Sequence, residues 1–271
     1  MCGFLFTSGY DLQYHKSHLI KVSQRGQDST KTTLINKDLI VSHSLLSISS
    51  EFKHIQPYCL THKVFKNRNF KLMGQEVSIG DNAHFVFNGE IFNLDELKYL
   101  IKLKYSIKLE AIFEEHIILA LVLLLDDQEI LNKIRGFYSA TIILPNMNLC
   151  FLSRDINGLK PLFYSINSNK ISVSSIFLND NIYKLDNFSQ ISGSLYMSYG
   201  FIPSPYTLYK NSSKVMPGEQ ILLSLDKNVI ISRKIIKRKN SYSFNKISKH
   251  EINNLFIREI KDSLSKRLIH Q

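Results

Sequence analysis

Cysteine and proline are sparse in this sequence and tryptophan is absent. The three cysteines, Cys2, Cys59 and Cys150, form an odd set with no pair at metal-ligand spacing. That argues against a disulfide scaffold and suits a reducing compartment; Cys59 and Cys150 are expected to act as small core hydrophobes. Acidic residues are outnumbered, 23 Asp plus Glu against 34 Lys plus Arg, giving a net charge of +11. Such a balance permits acidic partners. The basic residues are dispersed, however, apart from one denser run, Arg233-Lys234 to Lys237-Arg238-Lys239. No aromatic-interleaved basic stripe exists, so the expectation is no nucleic-acid binding. The greasiest stretch, Ile117 to Leu125, is far too short to span a membrane and ends at Asp126-Asp127. The N-terminus has neither the basic region nor the apolar run of a signal peptide, so the expected location is cytoplasmic. No phosphate-loop glycine motif is found, and neither a cofactor nor a metal is expected.

What is present is enough apolar material for a core: 44% hydrophobic residues, with 17 Phe and 13 Tyr, in 271 residues. That length holds one large domain or a main domain with an appendix. The first turn, Met1-Cys2-Gly3-Phe4, has chemical potential. Cys2 is small enough for the initiator Met to be removed, which would leave one residue carrying both a thiol and an α-amine. A thiolate is a strong nucleophile near neutral pH. An α-amine, with a pKa of about 7.7–8, can act as its local base and later protonate a leaving amine. Gly3 permits close packing or an unusual backbone angle beside the thiol, and Phe4-Leu5-Phe6 reads as a buried strand that holds the terminus still. A Cys in second position is also commonplace, so the remainder of the chain has to decide its meaning.

Gly9 to Ser17 is polar and reads as a loop, and Arg25-Gly26-Gln27-Asp28 as a turn. "LINKDLIVSHSLLSIS" predicts two strands joined at Asn36-Lys37-Asp38. Glu51 to Gly74 reads as a long loop with a short strand near Val64-Phe65. "HFVFNGEIFN" predicts a strand entering a Gly-containing turn, then a helix from Leu94 to residue 101 with Asp95 and Glu96 in its first turn. A second helix is predicted from Ala111 to Leu125; its His116 reads as a surface or core histidine. After a short helix, Phe137 to Leu144 predicts a strand, Pro145-Asn146 a turn and "NLCFLSRD" its hairpin partner. Phe163 to Ile166 and "KISVSSIF" follow as strands. Many antiparallel strands with helices inserted mid-sequence fit two packed sheets with helices outside. From Leu185 the texture turns Pro-, Ser- and Tyr-rich and reads as a connector, with a turn at Pro217-Gly218 and a strand from Gln220 to Leu225. Residues 245–271 predict an amphipathic helix with Ile252, Leu255, Phe256, Ile260 and Leu264 on one side, a face that needs a partner.

Seven motifs, in order, give the sequence a family likeness: "MCGF" at 1–4, "RGQD" at 25–28, "SHSLLSI" at 42–48, "FNGEIFN" at 87–93, "IRGFYSATI" at 134–142, "LSRDINGLKPLFY" at 152–164 and "YGFIPSPYTLYKNSSKVMPGE" at 199–219. Together they resemble the class II glutamine amidotransferases, specifically the N-terminal half of glutamine-hydrolysing asparagine synthetases. The resemblance implies an α+β N-terminal-nucleophile hydrolase fold, a four-layer αββα sandwich of two antiparallel sheets. It implies hydrolysis of L-glutamine to glutamate and ammonia through a thioester on Cys2. The oxyanion would be received by the Asn88 side chain and the Gly89 backbone N–H, two neutral donors that can be preoriented without desolvating a charge; read without the resemblance, Asn88-Gly89 is an ordinary turn. Glu90 would bind the substrate amine or organise the turn. Ile48 and Ser49 would hold the substrate α-carboxylate through backbone atoms. Arg154-Asp155, Lys160 and Pro161 read as architecture, the Arg-Asp pair as an ion pair.

The sequence also departs from the family pattern. Where the family carries an arginine that clamps the substrate carboxylate, this chain has Leu45, which cannot offer a bidentate pair. The family's Asp for the substrate ammonium falls on Glu114, with Glu115 as the alternative. "RGQD" replaces "RGPD", a change of loop stiffness. No Ser-Gly-Gly-x-Asp-Ser nucleotide loop is found, so the chain alone is not expected to make asparagine. The expected organisation is an amidotransferase domain over 2–190, a connector over 191–240 and an amphipathic helix over 241–271 that begins a synthetase domain. Expected partners are L-glutamine, a separately encoded ATP-dependent synthetase subunit on the C-terminal helix, and a second copy as a homodimer. The alternatives are an impaired scaffold or regulatory subunit that keeps the fold, or an amidohydrolase acting on a different amide.

Overall fold

The first strand, β1 (Gly3–Ser8), is buried at every position, as a strand covered on both faces must be. In the computed structural model, which describes residues 2–47, 56–66, 68–109, 115–178, 187–236 and 248–268, this strand lies inside a sheet. Its neighbours are β3 (Leu39–Leu45) on one side and β11 (Lys170–Ser174) on the other. The sheet is completed by β2 (Ser29–Leu34) beyond β3, and by β10 (Phe163–Asn167) and β12 (Ser212–Lys214) beyond β11. The second six-stranded sheet has the order β14 (Val229–Ile235), β13 (Glu219–Ser224), β9 (Leu149–Arg154), β8 (Gly136–Leu144), β7 (His84–Ile91), β4 (Tyr58–Cys59). Every pairing is antiparallel. A separate hairpin joins β5 (Asn69–Leu72) to β6 (Gln75–Ser78).

The alternation of side chains along each strand divides the core into layers. Between the sheets lie Phe4 and Phe6 of β1, Val41 of β3, Val86 of β7, and Cys150 and Leu152 of β9. Beyond the second sheet, Phe85, Phe87 and Ile91 pack with helices α2 (Leu94–Tyr105), α3 (Glu115–Leu125) and the short α4 (Gln128–Leu131). Beyond the first, Leu5 packs on Val22 of α1 (Leu12–Ser23). Helix, sheet, sheet, helix is the expected sandwich. Seven consecutive residues of α3, Ile118–Leu124, are buried; a helix apolar on all sides belongs inside.

Several local expectations are corrected. Gly9 to Ser17 is not a loop throughout: α1 begins within it at Leu12, started by Asp11, whose Oδ1 accepts from the Tyr14 N–H at 2.7 Å. Its apolar period is disguised because two of its three buried residues are histidines. His15 is held by the hydroxyls of Thr7 and Ser42, each at 2.7 Å. Val64 and Phe65 are buried but lie in a turn rather than a strand. Cys59 is exposed and donates to the Asp81 carbonyl at 3.1 Å, so it is not a core hydrophobe, whereas Cys150 is. Residues 191–236 supply α5 (Gln190–Tyr199) from its second residue onward, and also β12, β13 and β14, which join both sheets. The start of the second predicted helix, residues 111–114, lies outside the described residues. Helix α6 (Lys249–Leu268) exposes Ile252, Phe256, Ile260 and Leu264. It meets the sandwich through Arg135–Asp262 at 2.8 Å and through Arg267 stacked 5.4 Å over Phe92. Among the described residues no helix is long and apolar enough to cross a membrane.

Candidate active site

Because Phe4 and Phe6 face the second sheet, the period of two puts Cys2 on that same face. On β7 it is Val86 that faces the first sheet, while Phe85 and Phe87 face the helices; Asn88 and Glu90 therefore point inward. Strands β1 and β7 approach within 8 Å, Cα to Cα. The Lys160 ammonium lies within electrostatic reach of both Cys2 and Glu90, which brings the Cys2 end of β1 and the Glu90 end of β7 to one region.

The thiol is half-buried, with Sγ 3.8 Å from the Leu46 carbonyl. Gly3 allows this placement by close approach: a Cβ there would stand 2.7 Å from the Val22 carbonyl oxygen. Ser175 fixes the strand's start, since its Oγ accepts the Phe4 N–H at 3.0 Å while its carbonyl accepts from Arg25 Nη1 at 2.9 Å. The β1–β3 register pairs Gly3 with Ser44, so its continuation sets Leu45 across from Cys2. An apolar side chain thus adjoins the thiol where the family likeness implies a guanidinium.

Asn88 and Gly89 are not in a turn, contrary to the sequence expectation. They lie within β7, opposite Ser139 and Tyr138 of β8. Gly89 is required by close approach, because a Cβ would sit 2.1 Å from the Phe137 carbonyl oxygen. Asn88 is 3% exposed and its Nδ2 has no hydrogen-bond partner among the described residues. Buried amide donors nearly always have one. The backbone beside it is informative too. The Phe92 N–H donates to the Arg135 carbonyl at 2.8 Å, and antiparallel pairing repeats that pattern at every second residue. The N–H groups of Phe87, Gly89 and Ile91 consequently face away from β8. Gln56 Oε1 receives the first at 2.8 Å and Glu115 Oε1 the third. The Gly89 N–H sits between them on the same edge.

Ile48, Ser49 and Glu114 lie outside the described residues. Glu115, the alternative to Glu114, has one carboxyl oxygen on the Ile91 N–H. Burial, seconded by the nearby Glu90, pushes its pKa up to about 8, against the pull of that hydrogen bond. Arg154 and Asp155 make no ion pair with each other. Arg154 donates to the carbonyls of Gly158, Lys160 and Val215, and Asp155 accepts from the N–H groups of Asn157, Leu159 and Lys160. They brace the loop that brings Lys160, read from sequence as architecture, within electrostatic reach of the thiol. Lys160 and Arg25 are the site's neighbouring cations. Nothing in their linear spacing marks them, because a loop and a helix end bring them together. His43, cross-strand from Phe4, is buried with no partner for Nε2 among the described residues, and burial pushes its imidazole down to about 4. Among the described residues no cluster of His, Cys, Asp and Glu could hold a metal.

This arrangement of two sheets with a thiol at the start of an inner strand is the N-terminal-nucleophile amidotransferase fold. The chain belongs to the glutamine amidotransferase domain family, whose model matches residues 73–234. It is 34% identical over 149 residues to the protein named asparagine synthetase (glutamine-hydrolyzing) 2 of Methanocaldococcus jannaschii, covering 54% of this chain and 28% of that protein. It is 28% identical over 162 residues to asparagine synthetase (glutamine-hydrolyzing) 1 of Bacillus subtilis, covering 58% of this chain and 25% of that one. The matches thus span about a quarter of each relative's length. Among solved structures, glutamine phosphoribosylpyrophosphate amidotransferase from B. subtilis superposes with a TM-score of 0.52 at 15% identity, over 88% of this chain and 50% of that one.

Proposed function

We propose that this chain hydrolyses the side-chain amide of L-glutamine, with Cys2 as nucleophile once Met1 has been removed. The α-amine of Cys2 takes the thiol proton as Sγ attacks the amide carbon. The negative oxygen that forms is received by Asn88 Nδ2 and the Gly89 N–H. The amine then passes its proton to the departing nitrogen, which leaves as ammonia. Water adds to the resulting γ-glutamyl thioester, the amine again shuttling the proton, and glutamate is released.

The observation that supports this reading is the Asn88 carboxamide, a buried donor with no acceptor among the described residues, on the face of β7 turned to the sheet that carries Cys2. A preorganised donor of this kind is worth about 3–4 kcal/mol in the barrier. Glu90, on the same face, is assigned to the substrate amine. Glu114, Ile48 and Ser49 keep the roles the family likeness gives them. The ammonia acceptor is placed on an ATP-dependent synthetase unit that covers α6, whose apolar side chains are exposed. A homodimer and a cytoplasmic location complete the proposal.

A diazoketone analogue of glutamine tests it by intact mass. Wild type, with Met1 removed, should gain one adduct and Cys2→Ser none. No adduct at pH 8 and high reagent concentration favours the second reading, a non-catalytic scaffold, which Leu45 beside the thiol supports.

A further inference from the structure

We propose that Lys160 is the anion anchor of this site, its ammonium taking the α-carboxylate of the amino-acid amide substrate. The inference rests on the glutaminase reading and adds the residue that recognises the end of the substrate remote from the reacting bond.

The argument starts from an unmatched charge. Lys66, Lys98, Lys104 and Lys234 each pair with a carboxylate. The ammonium of Lys160 is half-buried, yet makes no ion pair or hydrogen bond among the described residues. Its one direct partner is the ring of Phe137, 4.6 Å away. A cation over an aromatic face is held by the ring's quadrupole, which leaves its hydrogen-bond donors unspent. Phe137 is cross-strand from Glu90, so the ring carries the ammonium to the inward face of β7, beside Asn88.

The residue is also rooted. Its N–H donates to Asp155 Oδ2 at 3.2 Å and its carbonyl accepts from Arg154 Nε at 2.7 Å. The backbone is fixed while the ammonium lies over the Phe137 ring. Burial first, then the neighbouring Arg25, weaken the ammonium's hold on its proton, while Cys2, Glu90 and Asp155 act the other way; an arriving carboxylate would offset the loss. Lys160 does not hydrogen-bond to Cys2. Near but not touching is the relationship needed by a ligand whose carboxylate and amide carbons are four bonds apart. Arg25 is less suited, since its guanidinium is committed to the Ser175 carbonyl.

The test uses the full chain with Lys160→Met, which keeps the stem on Phe137, Lys160→Gln as a second neutral variant, and Lys160→Arg. The binding readout is protection of Cys2 from neutral iodoacetamide by L-glutamine. It needs no turnover, so it separates this proposal from the glutaminase reading. Half-protecting glutamine concentrations should rise by at least about tenfold in both neutral variants, the loss expected for one charged hydrogen bond, and return in Lys160→Arg. Unprotected alkylation should slow in both neutral variants and recover in Lys160→Arg, because the ammonium lies within electrostatic reach of the thiol, so protection is compared at equal extents of unprotected alkylation. Where wild type turns over, KM for glutamine should rise by more than kcat falls, and 4-aminobutanamide, which lacks the carboxylate, should lose less than glutamine. Unchanged protection, absence of protection in wild type, or equal losses on both amides would each overturn the assignment. The last would make Lys160 a thiolate stabiliser instead.

Discussion

Asn88 and Ser139 stand opposite each other on β7 and β8, both buried, and neither Asn88 Nδ2 nor Ser139 Oγ has a hydrogen-bond partner among the described residues. A donor left unmatched in a core costs about 1–3 kcal/mol. Such a cost persists where an incoming group is meant to repay it. Asn88→Leu should therefore lower kcat for glutamine hydrolysis by about 10²–10³-fold while leaving thermal stability unchanged or higher. Steady-state ammonia release and a melting curve check both halves. A stability loss without a kcat loss would make Asn88 purely structural.

Gly89→Ala should destabilise strongly. The added Cβ meets the Phe137 carbonyl oxygen at 2.1 Å and Tyr138 Cα at 2.6 Å, both backbone atoms of the paired strand. Overpacking of this kind costs about 1–3 kcal/mol. Denaturant titration should show a lower midpoint, with β7 and β8 amides losing hydrogen-exchange protection first.

Two buried imidazoles predict acid lability. Burial depresses His43 to about 4, and burial plus the neighbouring His18 depress His15 to about 4. The unfolded chain binds protons at these sites near pH 6.5 and the folded chain does not. Stability is thus complete above pH 6.5 and is lost as pH falls toward 4, by up to about 3 kcal/mol per site. His43→Gln should flatten that fall in chemical unfolding measured from pH 7 to 4.

Glu115 predicts the opposite slope. With its folded pKa raised to about 8, the native state holds a proton that the unfolded state releases above about 4.5. Stability from this group falls as pH rises from 4.5 toward 8. Glu115→Gln keeps an acceptor for the Ile91 N–H, so it should melt higher than wild type at pH 8 and nearly equal at pH 5.

Much of this molecule could be read from its sequence where the apolar rhythm was undisturbed. The Asn36-Lys37-Asp38 hairpin, the Phe137–Leu144 strand with its partner from Leu149, and the greasy helix Ile117–Leu125 follow from alternation or from its absence. Helix α1 was hidden because its inward face uses hydrogen-bonded His15 and His18 in place of aliphatics. Asn88-Gly89 mimics a turn signal because the glycine is needed for backbone proximity, not for curvature. The sequence motif places Cys2, whereas the part played by Lys160 depends on two braces, Arg154 and Asp155, folding a loop over Phe137. Short-range patterns cannot encode such a meeting.

Strand β1 gains its second neighbour only when β11 arrives, and Phe4 is tied down by Ser175, 171 positions downstream. During synthesis, β1 cannot be locked in place until β11 and Ser175 have left the ribosome. On the proposed mechanism, that interval is when trimming enzymes would reach Met1, and closing the sheet afterwards would seal the freed amine beside its sulfur.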